Sequence, residues 1–236
     1  MKLIPLGING PYPSPTGACS GYLLVSDSGT KVLIDCGTGV LSRLTRFISV
    51  DELDGIVLSH LHYDHMSDML PMQYALQFSG RTKAIPVIAP ERPANVRALL
   101  ACGYFDIYAP GDFDIGDIRL CFCEAIHPVS GVSVKAIADG KTFVYTGDTN
   151  TNDEIGLFAY EADLLLADAG LTVGQWNPKA PHLSSRLCGE LAAEANAAAL
   201  LLTHIRPDND PEVILNEARE AFPETEIAVA GREYRV

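Results

Sequence analysis

Short apolar runs separated by turn residues fill the first part of the chain. They predict strands over roughly residues 2–6, 21–26, 31–35 and 55–59. Ser28-Gly29, between the second and third runs, is a hairpin signal. Residues 39–48 are predicted to form a helix behind this sheet.

Later segments have the apolar spacing of helices. Ser67 or Asp68 can cap a helix that runs to about residue 78, with Pro71 tolerated in its first turn. Residues 93–102, 185–198 and 211–221 are predicted as further helices. In the alanine-rich one of these, Leu187, Leu191 and Ala195 share one stripe.

The second half of the chain repeats the strand pattern of the first. Residues 132–136 alternate between apolar and polar, which predicts a strand. Asp139-Gly140 is a strong hairpin turn, and residues 142–145 are the second strand of the predicted hairpin. Strands followed by helices in two similar halves indicate two packed sheets with helices outside, an α+β fold. No linker or low-complexity segment interrupts residues 1–236, so we expect a single domain.

Composition agrees with one sizeable core, since 47% of the 236 residues are apolar. No run approaches 18 uninterrupted apolar residues, so no membrane-spanning helix is expected. Residues 1–7 form a strand pattern too short and broken for a signal peptide. Six cysteines without a secretory context predict reduced thiols and a cytoplasmic protein. Cys121 and Cys123 fit one strand face better than a zinc clip.

The formal charge of −13 opposes tight binding to a polyanion, which requires lysine and arginine to neutralise phosphates. We therefore expect no nucleic-acid or membrane partner and a small-molecule substrate. A small anionic substrate stays compatible with this charge, because bound divalent ions dominate the local field of a site.

The segment His60-Leu61-His62-Tyr63-Asp64-His65 holds four potential metal ligands directly after the apolar run 56–58. Imidazole suits zinc, iron and nickel, and a carboxylate adds a hard ligand or a base. A polar loop with surface histidines is the alternative. Three of the chain's six histidines fall here, which favours a metal site.

Three more residues of metal-ligand type each lie at the end of a strand-like segment. They are His127 after residues 121–126, Asp148 after 143–145, and His204 after 199–203. Loops at one edge of a sheet are where a rigid scaffold positions catalytic groups. The repetition of this arrangement predicts that these side chains meet at one site.

The His-x-His-x-Asp-His motif, followed in order by His127, Asp148 and His204, resembles the metallo-β-lactamase superfamily. The resemblance implies a four-layer αββα sandwich and two divalent metal ions, zinc first, with manganese or iron as alternatives. It assigns one metal to His60, His62 and His127, the other to Asp64, His65 and His204, and the bridge between them to Asp148. It also implies that Asp35 supports the ligands.

Two departures narrow the resemblance. True β-lactamases of this fold carry a cysteine where this chain has Asp148, so antibiotic cleavage is not expected. The segment 181–184, which contains His182, resembles an extra histidine motif of the ribonuclease Z branch and the phosphonate-pathway cyclic phosphodiesterases. Asp168 occupies the place of the acidic residue that orients this histidine, although the transfer RNA enzymes have glutamate there.

The chemistry implied is hydrolysis by a metal-bridging hydroxide, which Asp64 can help to orient. An alkoxide leaving group needs a proton and a thiolate does not, so His182 as general acid favours phosphodiester cleavage. A purely structural role of His182, at the cap of the helix that starts near Ser184 or Ser185, is the alternative. Asp64, His182 and Asp168 are thus the catalytic candidates.

The predicted substrate class rests on the absence of a transfer RNA-binding arm. Transfer RNA enzymes insert a basic, glycine-rich arm between their third histidine and bridging aspartate, where this chain has only a hairpin. We therefore predict a small or cyclic phosphodiester, with the pocket set by loops 9–17, 104–112 and 172–180. The alternatives are a thioester or lactone hydrolase of the glyoxalase II or lactonase type and, less favoured, a non-catalytic or redox di-iron protein. The sequence leaves open whether the protein forms a homodimer.

Overall fold

The apolar runs of the N-terminal half form one seven-stranded sheet in the computed structural model, which describes residues 1–236. In spatial order its strands are β14 (Tyr234–Arg235), β1 (Lys2–Gly7), β2 (Gly21–Val25), β3 (Lys31–Ile34), β4 (Gly55–Val57), β5 (Ile85–Ile88) and β6 (Phe105–Tyr108). The strands from β14 to β3 are antiparallel, and those from β3 to β6 are parallel.

The second sheet repeats this plan. In spatial order its strands are β13 (Glu226–Ile227), β12 (Leu200–Thr203), β11 (Leu164–Asp168), β10 (Lys141–Tyr145), β9 (Val132–Ala138), β8 (Ile118–Glu124) and β7 (Phe113–Ile115). The strands from β10 to β13 are parallel, and those from β7 to β10 are antiparallel. Parallel strands end at a common edge, so residues that follow β10, β11 and β12 come together.

The helices are short, and none combines the length and apolar character needed to cross a bilayer. They are α1 (Val40–Leu44), α2 (Tyr63–Met66), α3 (Met69–Ser79), α4 (Ala94–Arg97), α5 (Asp153–Phe158), α6 (Ser185–Glu194) and α7 (Pro211–Arg219). A single 3₁₀ turn over Val50–Glu52 precedes β4, and a second over Ala98–Leu100 follows α4.

Three apolar layers hold these elements together. Tyr22, Phe143 and Tyr145 belong to the layer between the two sheets. A second layer joins the outer face of the first sheet to α1 and α3, and a third joins the second sheet to α5, α6 and α7. The molecule is therefore the four-layer αββα sandwich that the motif resemblance implied.

Several helices end earlier than the sequence pattern predicted. The helix expected over 39–48 covers only Val40–Leu44, and the one over 93–102 is divided into α4 and a 3₁₀ turn. The alanine run misled the prediction for 185–198. Asn196 has a left-handed φ of 51°, and the Ala198 amide donates to the Ala162 carbonyl, which leads the chain into β12.

The cap predicted for α3 has a different role. Asp68 does precede α3, but its carboxylate makes no capping bond to that helix. It accepts a hydrogen bond of 2.9 Å from the Leu41 amide at the start of α1. Asp68 thus ties two helices of the outer layer to each other.

One buried hydroxyl pair links the two sheets. The Tyr22 hydroxyl on β2 lies 2.6 Å from Thr203 Oγ1 on β12, and both residues are fully buried. The Tyr22 ring packs on Tyr145, with 4.9 Å between ring centroids. Removing one partner of a buried hydrogen bond leaves the other partner unsatisfied.

We expect Tyr22→Phe to lower the free energy of unfolding by about 1–3 kcal/mol, because the Thr203 hydroxyl loses its partner. Urea unfolding followed by circular dichroism measures the change. Tyr74→Phe is the matched control, since the Tyr74 side chain is 65% exposed on α3. Equal stability of both variants and the native protein would contradict a structural role for the pair.

Candidate metal centre

The site lies at the edge where parallel strands of both sheets end. His60 follows β4, and the next residues turn into α2, so that Asp64 and His65 lie on its first turn. His127 follows β8, and Asp148 and His204 follow β10 and β12. The seven ligand candidates of the sequence therefore meet in one place, as their positions after strand-like runs predicted.

Three of the histidines form the first group. His62 Nδ1 lies 3.0 Å from His60 Nε2 and 3.2 Å from His127 Nε2. The opposite nitrogen of His127 lies 2.9 Å from the Pro181 carbonyl and donates to it, which leaves a lone pair on Nε2. Burial lowers the pKa of all three imidazoles, so neutral rings direct their nitrogens at one point.

The second group combines two carboxylates with two histidines. His204 Nε2 lies 3.1 Å from Asp64 Oδ2 and 3.3 Å from Asp148 Oδ2. His65 Nε2 lies 3.3 Å from the same Asp148 oxygen. All four residues are buried. Asp148 Oδ2 is also 3.6 Å from His60 Nε2, so this oxygen lies between the two groups.

Charge pairing sets the ionisation of the second group. Burial opposes the charged forms, but the neighbouring histidines hold the pKa of Asp148 and of Asp64 well below the usual range. Burial likewise opposes a charge on His204, yet Asp148 and Asp168 raise its pKa to about 10. Without another cation, the carboxylates thus retain protons on the histidines beside them.

Two buried atoms test whether this group fits a metal. Asp148 Oδ1 has no hydrogen-bond partner, and His65 Nε2 has none in hydrogen-bond geometry although Asp148 Oδ2 lies 3.3 Å away; unsatisfied buried polar atoms of this kind are unfavourable. A divalent cation would coordinate both a nitrogen and an oxygen of this kind. The cluster of imidazoles and carboxylates is therefore a metal-binding site.

Asp35 holds the ligand-bearing segments in place through hydrogen bonds. Its carboxylate accepts hydrogen bonds from the Ser59 amide, the Ser59 hydroxyl and the Tyr145 hydroxyl, at 2.7, 2.8 and 3.1 Å. Its Oδ2 also lies 2.8 Å from His65 Nδ1. This contact fixes the tautomer of His65, and its Nε2 is left to face the metal site.

His182 and Asp168 lie beside the second group. His182 Nδ1 is 2.8 Å from Asp168 Oδ2, and the other carboxylate oxygen is 3.3 Å from His204 Nδ1. The Ser184 hydroxyl caps α6 by accepting from the Leu187 amide. The imidazole of His182 is thus not the cap of α6, and it is directed at Asp168 instead.

The loops around the site differ from the expectation in one case. In loop 9–17, Pro11 and Tyr12 line a cavity beside His182 and His204. Loop 172–180 contacts Asn150, two residues beyond Asp148, whereas residues 105–108 of the third predicted loop form the edge strand β6. Sequence reasoning missed Asn150, whose amide donates 2.7 Å to the Ala180 carbonyl. Its Oδ1 accepts from Trp176 Nε1 at 3.1 Å. The only signal was an asparagine two residues beyond Asp148.

Sequence and structure comparisons agree with this geometry. A family model described as the Beta-lactamase superfamily domain matches residues 30–205. The chain is 32% identical to Probable metallo-hydrolase YhfI of Bacillus subtilis, over 98% of each protein. The crystal structure of that protein superposes with a TM-score of 0.93, covering 99% of each chain at 30% identity.

More distant relatives share the fold. The chain is 27% identical to the Ribonuclease Z of Methanopyrus kandleri, over 98% of this chain and 96% of that protein. A crystal structure of a diphosphatase from the PhnP family superposes with a TM-score of 0.77 at 18% identity, covering 100% of this chain and 97% of the other.

Asp148→Asn tests the metal centre. We expect zinc added to chelator-treated protein to raise the melting temperature, because an ion that binds only the folded state stabilises it, by about 2.7 kcal/mol at 100 times Kd. The gain should largely disappear in the variant, which loses the charge shared by both groups. Asp106→Asn, an exposed carboxylate on β6, is the control. A full zinc response in Asp148→Asn would exclude Asp148 as a ligand.

Gly10→Ala tests the contact between the first loop and His204. A Cβ atom at Gly10 would lie 1.9 Å from His204 Nε2, so the loop or the imidazole must move. We expect the zinc-dependent gain in melting temperature to fall by half or more. Gly174→Ala, where a Cβ meets nothing within 4 Å, is the control. An unchanged zinc response in both variants would show that the contact is dispensable.

Proposed function

The chain belongs to the β-lactamase superfamily and is a metallo-hydrolase, and on that premise we propose that it is a phosphodiesterase acting on a small or cyclic phosphodiester. The observation that carries the proposal is the pairing of His182 with Asp168 at 2.8 Å beside the metal-binding cluster. A hydrolase that releases a thiolate has no need of such a proton donor.

The proposal assigns two divalent ions to the cluster, zinc first, with manganese or iron as alternatives. His60, His62 and His127 would hold one ion, and Asp64, His65 and His204 would hold the other. Asp148 would serve both, because its Oδ2 lies between the groups. When bound, divalent ions supply Lewis acidity and lower the pKa of water.

His182 is proposed to supply a proton to the leaving oxygen. Its Nδ1 faces Asp168, which leaves Nε2 as the nitrogen that can meet a substrate. Burial alone would lower the pKa of His182, but the charge and hydrogen bond of Asp168 raise it above the ordinary value. A protonated imidazole can therefore deliver a proton to an alkoxide as the phosphorus–oxygen bond breaks.

Asp64 and Asp168 are proposed to position other groups. Asp64 lies on the first turn of α2, and its carboxylate is proposed to accept a hydrogen bond from an attacking water. Asp168 is fully buried and holds His182 while its second oxygen faces His204. We therefore describe Asp168 as a positioning residue.

The proposed substrate is small because the chain is acidic overall and lacks an inserted basic arm. The chain carries 17 lysine and arginine residues against 30 acidic ones. The interval between His127 and Asp148 contains the β9–β10 hairpin and no basic extension. We infer a small-molecule partner and no nucleic-acid partner, although several relatives carry the name Ribonuclease Z.

His182→Ala tests the assignment through the leaving group. We expect kcat on an unactivated phosphodiester to fall by about 10²-fold or more, because the alkoxide then leaves without a proton. The loss should shrink on p-nitrophenyl esters, since nitrophenolate is a weak base. Asp168→Asn should give a smaller defect in the same direction. Lys83→Ala, an exposed residue that precedes β5 at the opposite edge of the sheet from the ligands, is the control.

Two results would overturn the assignment. An equal loss on both kinds of ester would make His182 a binding or structural residue. Efficient thioester or lactone cleavage that the substitution leaves untouched would place the chain with the glyoxalase II or lactonase type of hydrolase. Metal content measured in each preparation separates loss of catalysis from loss of metal.

A further inference from the structure

A cavity of about 280 Å³ adjoins the metal centre. His182 and His204 line this cavity, together with Pro11, Tyr12, Leu171 and Arg206. The cavity is thus bordered by the proposed proton donor on one side and by largely apolar or planar side chains elsewhere.

Arg206 presents a fixed plane to this cavity. Its Nε and Nη2 donate to the two carboxylate oxygens of Asp208, at 3.0 and 2.6 Å. This bidentate pairing offsets most of the cationic charge and orients the guanidinium, whose flat face can stack on an aromatic ring. The hydrogen bond from Arg206 lowers the pKa of Asp208. Asp208 therefore orients the Arg206 guanidinium.

The loop that carries Tyr12 is fastened to the strand end that carries Arg206. The Gly10 amide and the Asn9 side-chain amide each donate 3.3 Å to the Ile205 carbonyl. The Ile205 amide donates 2.8 Å to the Ile8 carbonyl in return. Prolines at positions 11, 13 and 15 further restrict the backbone of the loop. The cavity is therefore formed before any ligand enters it, which reduces the entropy lost on binding.

The position of the cavity identifies which part of a substrate it would receive. The proton from His182 goes to the leaving oxygen, so the group attached to that oxygen must lie on the same side as His182. This step rests on the proposed function. Since the cavity opens beside His182, it is the space available to the leaving group.

We propose that this cavity is the leaving-group subsite and that it selects a flat aromatic or heteroaromatic ring, which packs against the Tyr12 ring and the Arg206 guanidinium. Tyr12 and Arg206 are thus specificity-determining residues, and they act by binding and not by proton transfer. The preferred substrates are phosphodiesters with an aryl or nucleoside-like group, and esters with a small alkyl group fill the site poorly.

Binding of two phosphonates to the metal-loaded protein tests the subsite without requiring turnover. Phenylphosphonate and methylphosphonate share the anionic group and differ in the ring. We expect the native protein to bind phenylphosphonate about tenfold more tightly, as one stacked ring would contribute. Titration calorimetry gives both dissociation constants. Tyr12→Leu and Arg206→Ala should bring their ratio close to one while methylphosphonate affinity changes little.

Two further variants serve as controls for the ring. Tyr12→Phe keeps the aromatic face and should retain the preference, whereas Tyr12→Leu keeps only apolar bulk. Tyr74→Ala removes an exposed tyrosine on α3 and should bind both phosphonates as the native protein does. Circular dichroism melting of each variant shows that the loop substitutions leave the fold intact.

Equal affinity of the native protein for the two phosphonates would overturn the subsite. So would a preference for the ring that survives in both Tyr12→Leu and Arg206→Ala. Failure of the proposed function has a different signature, because the phosphonate preference would persist while no phosphodiester is hydrolysed.

Discussion

The site depends on a single buried carboxylate, that of Asp35. It accepts hydrogen bonds from Ser59 and Tyr145 and faces His65, and these partners come from both sheets and from α2. A buried carboxyl group is costly unless its oxygens are hydrogen-bonded. The donors of Asp35 therefore fix where the two sheets meet, and the same contacts fix the imidazole of His65. The scaffold and the metal centre thus share one anchoring interaction.

Electrostatic balance explains the remainder of the site. Asp64, Asp148 and Asp168 are buried close together, and their mutual repulsion is offset by the histidines between them and, at Asp168, by the backbone amides of Thr149 and Gly170. Three imidazoles with a lowered pKa lie on one side, and three with a raised pKa, those of His65, His182 and His204, lie among the carboxylates. This separation divides the metal-binding cluster into a group of neutral nitrogen donors and a group that mixes nitrogen and carboxylate donors, and donors of both kinds bind divalent ions.

Much of this arrangement could be predicted from the sequence, because the ligands follow apolar runs and strand ends converge. The metal-binding character, the αββα fold and the family were predicted correctly, as the comparisons confirm. The catalytic roles of His182 and Asp168 stay predictions. Helix ends were less predictable, since Asn196 and the Ala198 amide respond to tertiary partners. Tyr12 and Arg206 lie in segments without a motif, and only the pairing of residues 8–10 with Ile205 brings them together.

The hydrogen bonds between residues 8–10 and Ile205 affect which residues of the first loop can change in evolution. The ends of the first loop are constrained, because Gly10 lies against His204 and the amide of Asn9 is bonded to Ala18. In the stretch that follows Gly10, residues 11–16, Pro11 and Tyr12 face His182 and His204 across the cavity. Its side chains can therefore vary by single substitutions while the reactive groups stay in place. Substitutions that change the substrate range of this scaffold would therefore arise at the tip of that loop. These residues lie apart from the residues that carry out the reaction.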